Sequence, residues 1–141
     1  MSRKAIAASH SGAITSYDLV CEFHAASGEE VPATPQRNVP LAQRNLRQQI
    51  LEEEVQELRE AVVAADLVGI ADALADIVYV ACGTAITYGI PFDAVFAEVH
   101  RSNMTKIGPD GPTFRADGKI MKGPHFEPPD IESRLFDGVR R

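Results

Sequence analysis

"ILEEEVQELREA" (residues 50–61) places five glutamates in twelve positions, and none has a basic residue one helical turn away. Glu52, Glu53, Glu54, Glu57 and Glu60 meet only Gln, Ile, Leu, Val, Ala or another Glu at i±3 and i±4. Around them Leu46, Ile50, Leu51, Val55, Leu58 and Val62 recur with a 3.6-residue period. The pattern predicts one long amphipathic helix from Leu41 to about Ala65, with the acids on the face opposite the apolar stripe. Glu53 and Glu57 stand at i,i+4, and Glu54/Glu57 and Glu57/Glu60 at i,i+3. Like charges at these spacings cost about 0.2–0.5 kcal/mol per pair when solvated, and more when partly buried. Such a cluster calls for a cation.

Downstream, a break is expected near residues 66–69, followed by "IADALADIVYVACGTAITY" (70–88), apolar on nearly every side except at Asp72 and Asp76. A helix of that composition is expected to be buried over most of its surface. In so small a chain, self-association is the simplest way to bury it. Asp72 and Asp76 repeat the i,i+4 carboxylate pair, and a bare buried carboxylate is costly. No Lys or Arg occurs between Arg59 and Arg101, so no base within that stretch can neutralise these acids. Hard divalent ions with oxygen ligands, Mg²⁺ or Mn²⁺, are the natural counter-charge. Histidines are few and no Glu-x-x-His repeat occurs, which argues against a di-iron bundle site.

Upstream, Leu19, Val20, Phe23 and Ala26 in "TSYDLVCEFHAA" have helical spacing, and a connector with three prolines follows. A connector of that length is usually functional or wraps a neighbour. Gly89 suits a helix C-terminus and Pro91 the first turn of a fourth helix, "PFDAVFAEVHRSNMTK", ending near Lys106. Residues 107–141 form a Gly/Pro-rich tail, with a small hairpin or ordered loop at Asp117-Gly118 and a short helix over "IESRLFDGV". Residues 1–13 are expected to be loosely ordered. The predicted fold is all-α: residues 1–141 as one domain, a four-helix-bundle-type protomer forming a helical homo-oligomer, with an irregular C-terminal tail.

A formal net charge of −6 argues against a protein that grips long nucleic acid, since that binding relies on Lys and Arg neutralising phosphates. Cys21 and Cys82 are far apart and fit reduced thiols, so a cytoplasmic setting is expected. No stretch is expected to span a membrane. The cation-poor middle gives way to Arg101, Asn103, Lys106, Arg115, Lys119 and Lys122. That polarity suits a magnesium-bound triphosphate: carboxylates hold the metal, and separate cationic and amide donors serve the remaining phosphate oxygens. Phe23, His24 and Tyr79 are candidates for stacking on or hydrogen-bonding a base, against core packing as the plainer alternative.

"EEVQEL" (53–58), "DALADIVYVACGTAITYGI" (72–90), "VFAEVHRSNMTK" (95–106) and the tail "ADGKIMKGPHFEPPDI" together resemble the MazG-like all-α nucleoside triphosphate pyrophosphohydrolases. That group includes dimeric dUTPases and phosphoribosyl-ATP pyrophosphohydrolase. The resemblance implies a dimer or dimer of dimers, and Mg²⁺-dependent hydrolysis between the α and β phosphates to a nucleoside monophosphate and pyrophosphate. It maps the first metal motif onto Glu54 and Glu57, with Glu53 as a further ligand or as the base that orients or deprotonates the attacking water. The second motif, usually Glu-x-x-Asp, departs here. Its aspartate maps onto Asp76, its glutamate position is Ala73, and Asp72 lies one residue earlier as an alternative ligand or outer group. Arg101, Asn103, Lys106 and Lys122 are the expected substrate ligands. The expected role is nucleotide-pool house-cleaning. The alternatives are a phosphoribosyl-ATP pyrophosphohydrolase of histidine synthesis, a non-catalytic helical dimer binding metal or nucleotide, and a plain dimerisation module.

Overall fold

The computed structural model describes residues 12–137, and their secondary structure is helical: α1 (Ser16–Ala26), α2 (Leu41–Val63), α3 (Leu67–Thr87), α4 (Phe92–Met104) and α5 (Ile131–Phe136). The expectation for residues 1–13 lies almost wholly outside that range. Two compact units emerge, one through Ile90 and one from Pro91 onward.

In the first unit α3 packs against both α1 and α2. Thr15 starts α1 through a capping box: its side chain accepts the Asp18 N–H, and the Asp18 carboxylate accepts the Thr15 N–H. The α2–α3 junction differs from expectation. The chain leaves helix at residues 64–66, and the segment read as the break already forms the first turn of α3. Ala65 takes φ +52, with Ala65 N–H donating to Val62 O and Asp66 N–H to Ala61 O, a Schellman closure built without glycine. Gly69, which reads as a breaker, instead makes room for the cap. The Asp66 carboxylate accepts the Gly69 N–H, and a Cβ on Gly69 would lie 2.7 Å from Asp66 Oδ2.

At its other end α3 closes at Gly89 as predicted, with φ +66, Gly89 N–H to Ile86 O and Ile90 N–H to Ala85 O. The long connector wraps this end. Gln36 donates its backbone N–H to Tyr88 O at 2.9 Å and its side-chain amide to Thr87 O at 3.0 Å, satisfying carbonyls that a helix terminus leaves unpaired.

Burial of α3 also departs from expectation. Cys82, Gly83, Ala85, Ile86 and Thr87 are buried, as is Ala73, but Leu67, Val68, Leu74 and Val78 remain exposed. By length and composition alone this helix could cross a membrane, contrary to the expectation that no stretch could. Its acids, its packing on α1 and α2 and its buried C-terminal half read as a core helix.

In the second unit α4 packs with α5. Pro91 is the N-cap of α4 rather than part of its first turn, and the helix ends at Met104, two residues before Lys106. The Asp117-Gly118 turn exists, with Gly118 at φ +89. The flanking segments pair through a single bridge, Phe114 with Ile120, and form no strand.

Candidate active site

The five glutamates of α2 fall into two groups. Gln48 donates to Glu52, Gln49 to Glu53 and Gln56 to Glu60, each at 2.8 Å and each from one turn earlier. Neutral amides thus serve three carboxylates that lack basic partners. Glu54 and Glu57 receive no such donor among the described residues. Glu54 Oε2 is buried without a hydrogen-bond partner. Burial pushes the Glu54 carboxyl above the usual range, and the charges of Glu57, Asp76, Glu53 and Asp72 add to the shift in that order. Glu54 is therefore the centre of the acidic cluster, formed where α2 faces α3.

Asp76 acts on Glu54 more strongly than Asp72 does. Asp76 is half-buried and Asp72 exposed, while Ala73, where the family pattern carries a glutamate, is 3 % exposed. A methyl group packs into the interior at that position. Asp72, on the preceding residue, stands further from the cluster's centre. As the side chains stand, no three acids converge into a ready-made metal cage among the described residues. The chemistry of the group still fits a hard cation: an orphaned buried carboxylate oxygen, a surround of carboxylates, and no Lys or Arg on α3.

One turn beyond Asp76 on the same face, Tyr79 meets Phe23 of α1 edge to face, with ring centroids 5.7 Å apart. Both rings are accessible, 39 % for Tyr79 and 56 % for Phe23. His24 is not. It is buried, and its Nδ1 lies 2.7 Å from Glu29 Oε2, an oxygen that also accepts from Arg47 at 3.2 Å. Burial holds the His24 imidazole below its ordinary pKa; Glu29 opposes that shift and Arg47 reinforces it. A Cβ on Gly83 would lie 2.8 Å from Arg47 Nη1 and 3.1 Å from His24 Nε2, so the glycine of α3 is what admits this cluster. Neither Arg47 nor Glu29 stood out in the sequence, because an Arg in an amphipathic helix and a Glu in a loop are ordinary.

The second unit carries the four expected substrate ligands, and they stand in different situations. Arg101 is engaged: its guanidinium donates to Glu98 at 2.8 Å and to Glu127 at 2.8 Å. Glu98 is only 4 % exposed and also accepts from Asp130 N–H at 2.9 Å and Arg134 at 3.3 Å. The Arg101 hydrogen bond first, then the Asp130 N–H, hold its carboxyl down at about 2 against the effect of burial. The Glu98–Arg101 spacing of i,i+3 was the available sequence signal for this hub. Lys122 lies over the Phe126 ring at 4.8 Å. Lys106 and Asn103 have no side-chain partner among the described residues, and Lys106 is half-buried.

The sequence pattern of the phosphoribosyl-ATP pyrophosphohydrolase family matches residues 20–103. The chain belongs to that family. No curated protein matches it. As a family member it is a pyrophosphohydrolase directed at a nucleotide-like substrate. The matched stretch holds every acid of α2 and α3 named above, together with Phe23, Tyr79, Arg101 and Asn103. It stops short of Lys106 and of Lys122 in the tail.

Proposed function

We propose that this pyrophosphohydrolase hydrolyses nucleoside or deoxynucleoside triphosphates between the α and β phosphates, releasing a monophosphate and pyrophosphate, in nucleotide-pool house-cleaning. The observation that carries the reading is Glu54, a carboxylate with a buried, partnerless oxygen amid four further acids, inside the family-matched stretch. Glu54, Glu57 and Asp76 would hold Mg²⁺ or Mn²⁺, with Asp72 as an outer or alternative ligand. When bound, the ion supplies positive charge against the phosphate oxygens and acidifies a water. Glu53, steadied by Gln49, orients or deprotonates the water that attacks the α phosphorus.

Lys106 and Lys122, neither with an acid partner among the described residues, balance the charge gathering on the departing pyrophosphate. Arg101 contributes only as far as its ties to Glu98 and Glu127 allow, and Asn103 offers an amide to a phosphate or sugar oxygen. The accessible Phe23–Tyr79 pair is the stacking surface for a base, one turn from Asp76. His24 supports that surface from the interior. A homodimer or a dimer of dimers would cover the exposed apolar half of α3.

The family match equally supports phosphoribosyl-ATP as the substrate, which would be cleaved by the same acids. One experiment separates the readings. Purified protein is incubated with Mg²⁺ and a panel of ribo- and deoxyribonucleoside triphosphates plus phosphoribosyl-ATP, and products are resolved by chromatography beside a Glu57→Ala control. Monophosphate and pyrophosphate from ordinary triphosphates support house-cleaning, whereas turnover of phosphoribosyl-ATP alone supports the biosynthetic reading. Release of diphosphate and phosphate overturns the assigned bond, and no turnover of any compound favours a non-catalytic binder.

A further inference from the structure

The loops after α4 frame a cavity of about 170 Å³ that is open to solvent, lined in part by Thr105, Lys106, Asp110, Thr113 and His125. All of its lining residues lie beyond residue 103, outside the family-matched stretch. Its size is far more than the roughly 10–15 Å³ that one water needs. A small ion fits such a space.

The lining is rich in donors. Lys106 offers three N–H groups and His125 ring N–H capacity, and Thr105 and Thr113 add hydroxyls, although Thr105 Oγ1 already donates to Ser102 O at 2.7 Å. Gly108 neighbours the His125 ring, and a Cβ there would meet His125 Cδ2 at 3.6 Å, an ordinary contact. The described arginines of this unit are occupied: Arg101 and Arg134 by Glu98, and Arg115 by Asp117. Lys106 is a half-buried residue with no salt-bridge partner among the described residues, and it lines this cavity. An ammonium free of a salt bridge on such a wall is a ready donor to an anion. Asp110 is the sole acid of the lining.

We propose that this cavity binds a phosphate-type oxyanion, inorganic phosphate or pyrophosphate or the terminal phosphates of a nucleotide, with Lys106 and His125 as its principal donors. The assignment deepens the proposed function at Lys106 and adds His125, which the sequence did not single out. The test is a titration of isotope-labelled full-length protein with sodium pyrophosphate in metal-free buffer, followed by amide chemical shifts. Saturable shifts are expected within residues 105–125. Lys106→Gln and His125→Ala should each weaken binding on the order of tenfold, as for hydrogen bonds to a charged group. Lys106→Arg should retain binding, and Asp110→Asn should tighten it.

A parallel titration with an α,β-methylene triphosphate analogue distinguishes the sources. Shifts of the same amides, competed by pyrophosphate, assign the site to nucleotide phosphates, and shifts with pyrophosphate alone assign it to the free ion. Absence of saturable shifts with either ligand, or shifts unchanged in both Lys106→Gln and His125→Ala with native-like spectra, overturns the proposal. Because the titration with pyrophosphate uses neither metal nor turnover, its failure leaves the hydrolysis reading standing. Glu57→Ala, inactive on that reading, should bind pyrophosphate like the parent.

Discussion

Glu54 and Glu98 are two carboxylates shifted in opposite directions, and their signs lead to opposite expectations. The Glu54 carboxyl is raised, so the folded state favours its protonated form; that contribution is present at low pH and lost as pH rises through the carboxylate range. At neutral pH without metal, Glu54 therefore weakens the fold, and Glu54→Gln should raise the melting temperature by a few degrees. The gain should vanish in acid. With saturating Mg²⁺ the ranking should reverse, because an ion that binds the native state at a hundred times its Kd adds about 2.7 kcal/mol, which the variant forgoes. A melting series with and without Mg²⁺ checks both halves, and an unchanged melting temperature in the metal-free arm would remove Glu54 from the centre of the cluster. Glu98 is depressed from 4.5 to about 2, so its stabilisation is present above pH 4.5 and lost as pH falls toward 2. Glu98→Gln should speed amide exchange in α5 on the order of tenfold or more at neutral pH, while the difference shrinks across that acid window.

Helix ends show how far local chemistry can be read before packing is known. Gly89 was legible because positive φ is glycine's province, and Gly89→Ala should cost at least ~1–3 kcal/mol, since its Cβ would also strike the Thr34 carbonyl oxygen. The α2–α3 junction was misplaced by a few residues for the converse reason: an alanine occupies the left-handed position, and the nearby glycine serves a cap. Ala65→Gly should relieve that conformation and stabilise the protein by about 0.5–1 kcal/mol in urea denaturation, net of the freedom glycine adds to the unfolded chain. The crowding of acids on α2 was legible from spacing, and so were Asp72 and Asp76, but their placement opposite the apolar stripe was not borne out: Glu54 turns toward α3, while Leu46, Val55 and Val62 of the stripe are exposed. What spacing could not give was the division among the glutamates. The Gln residues at i−4 were visible, but which amides turn toward which carboxylates depends on rotamers. Beyond the i,i+3 spacing of Glu98 and Arg101, the buried Glu98 hub was hidden, as was the His125 cavity, because both are made by tail contacts with no periodic signature.

At the scale of the molecule, α3 is the element whose surroundings within one chain are least complete. Its C-terminal half is buried as its composition demands, yet Leu67 and Val68 are about four-fifths exposed, and Leu74 and Val78 about half. Apolar residues at this density on one helix mark an interaction surface in a globular protein. A membrane is a poor solvent for that half, because Asp72 and Asp76 lie within the same turns and would have to leave water. A second protein surface is the better cover, and a copy of the same chain supplies one with matching apolar character through a closed symmetric contact. The expectation is therefore an apparent mass of at least two chains in sedimentation. The thermal midpoint should rise with protein concentration over an about hundredfold range, as association linked to folding requires. Leu74→Glu combined with Val78→Glu should drive the mass to that of one chain and flatten the concentration dependence. If instead the parent sediments as a monomer at every concentration, the exposed half of α3 needs a different cover, and the acids of α2 and α3 would have to work within a single chain.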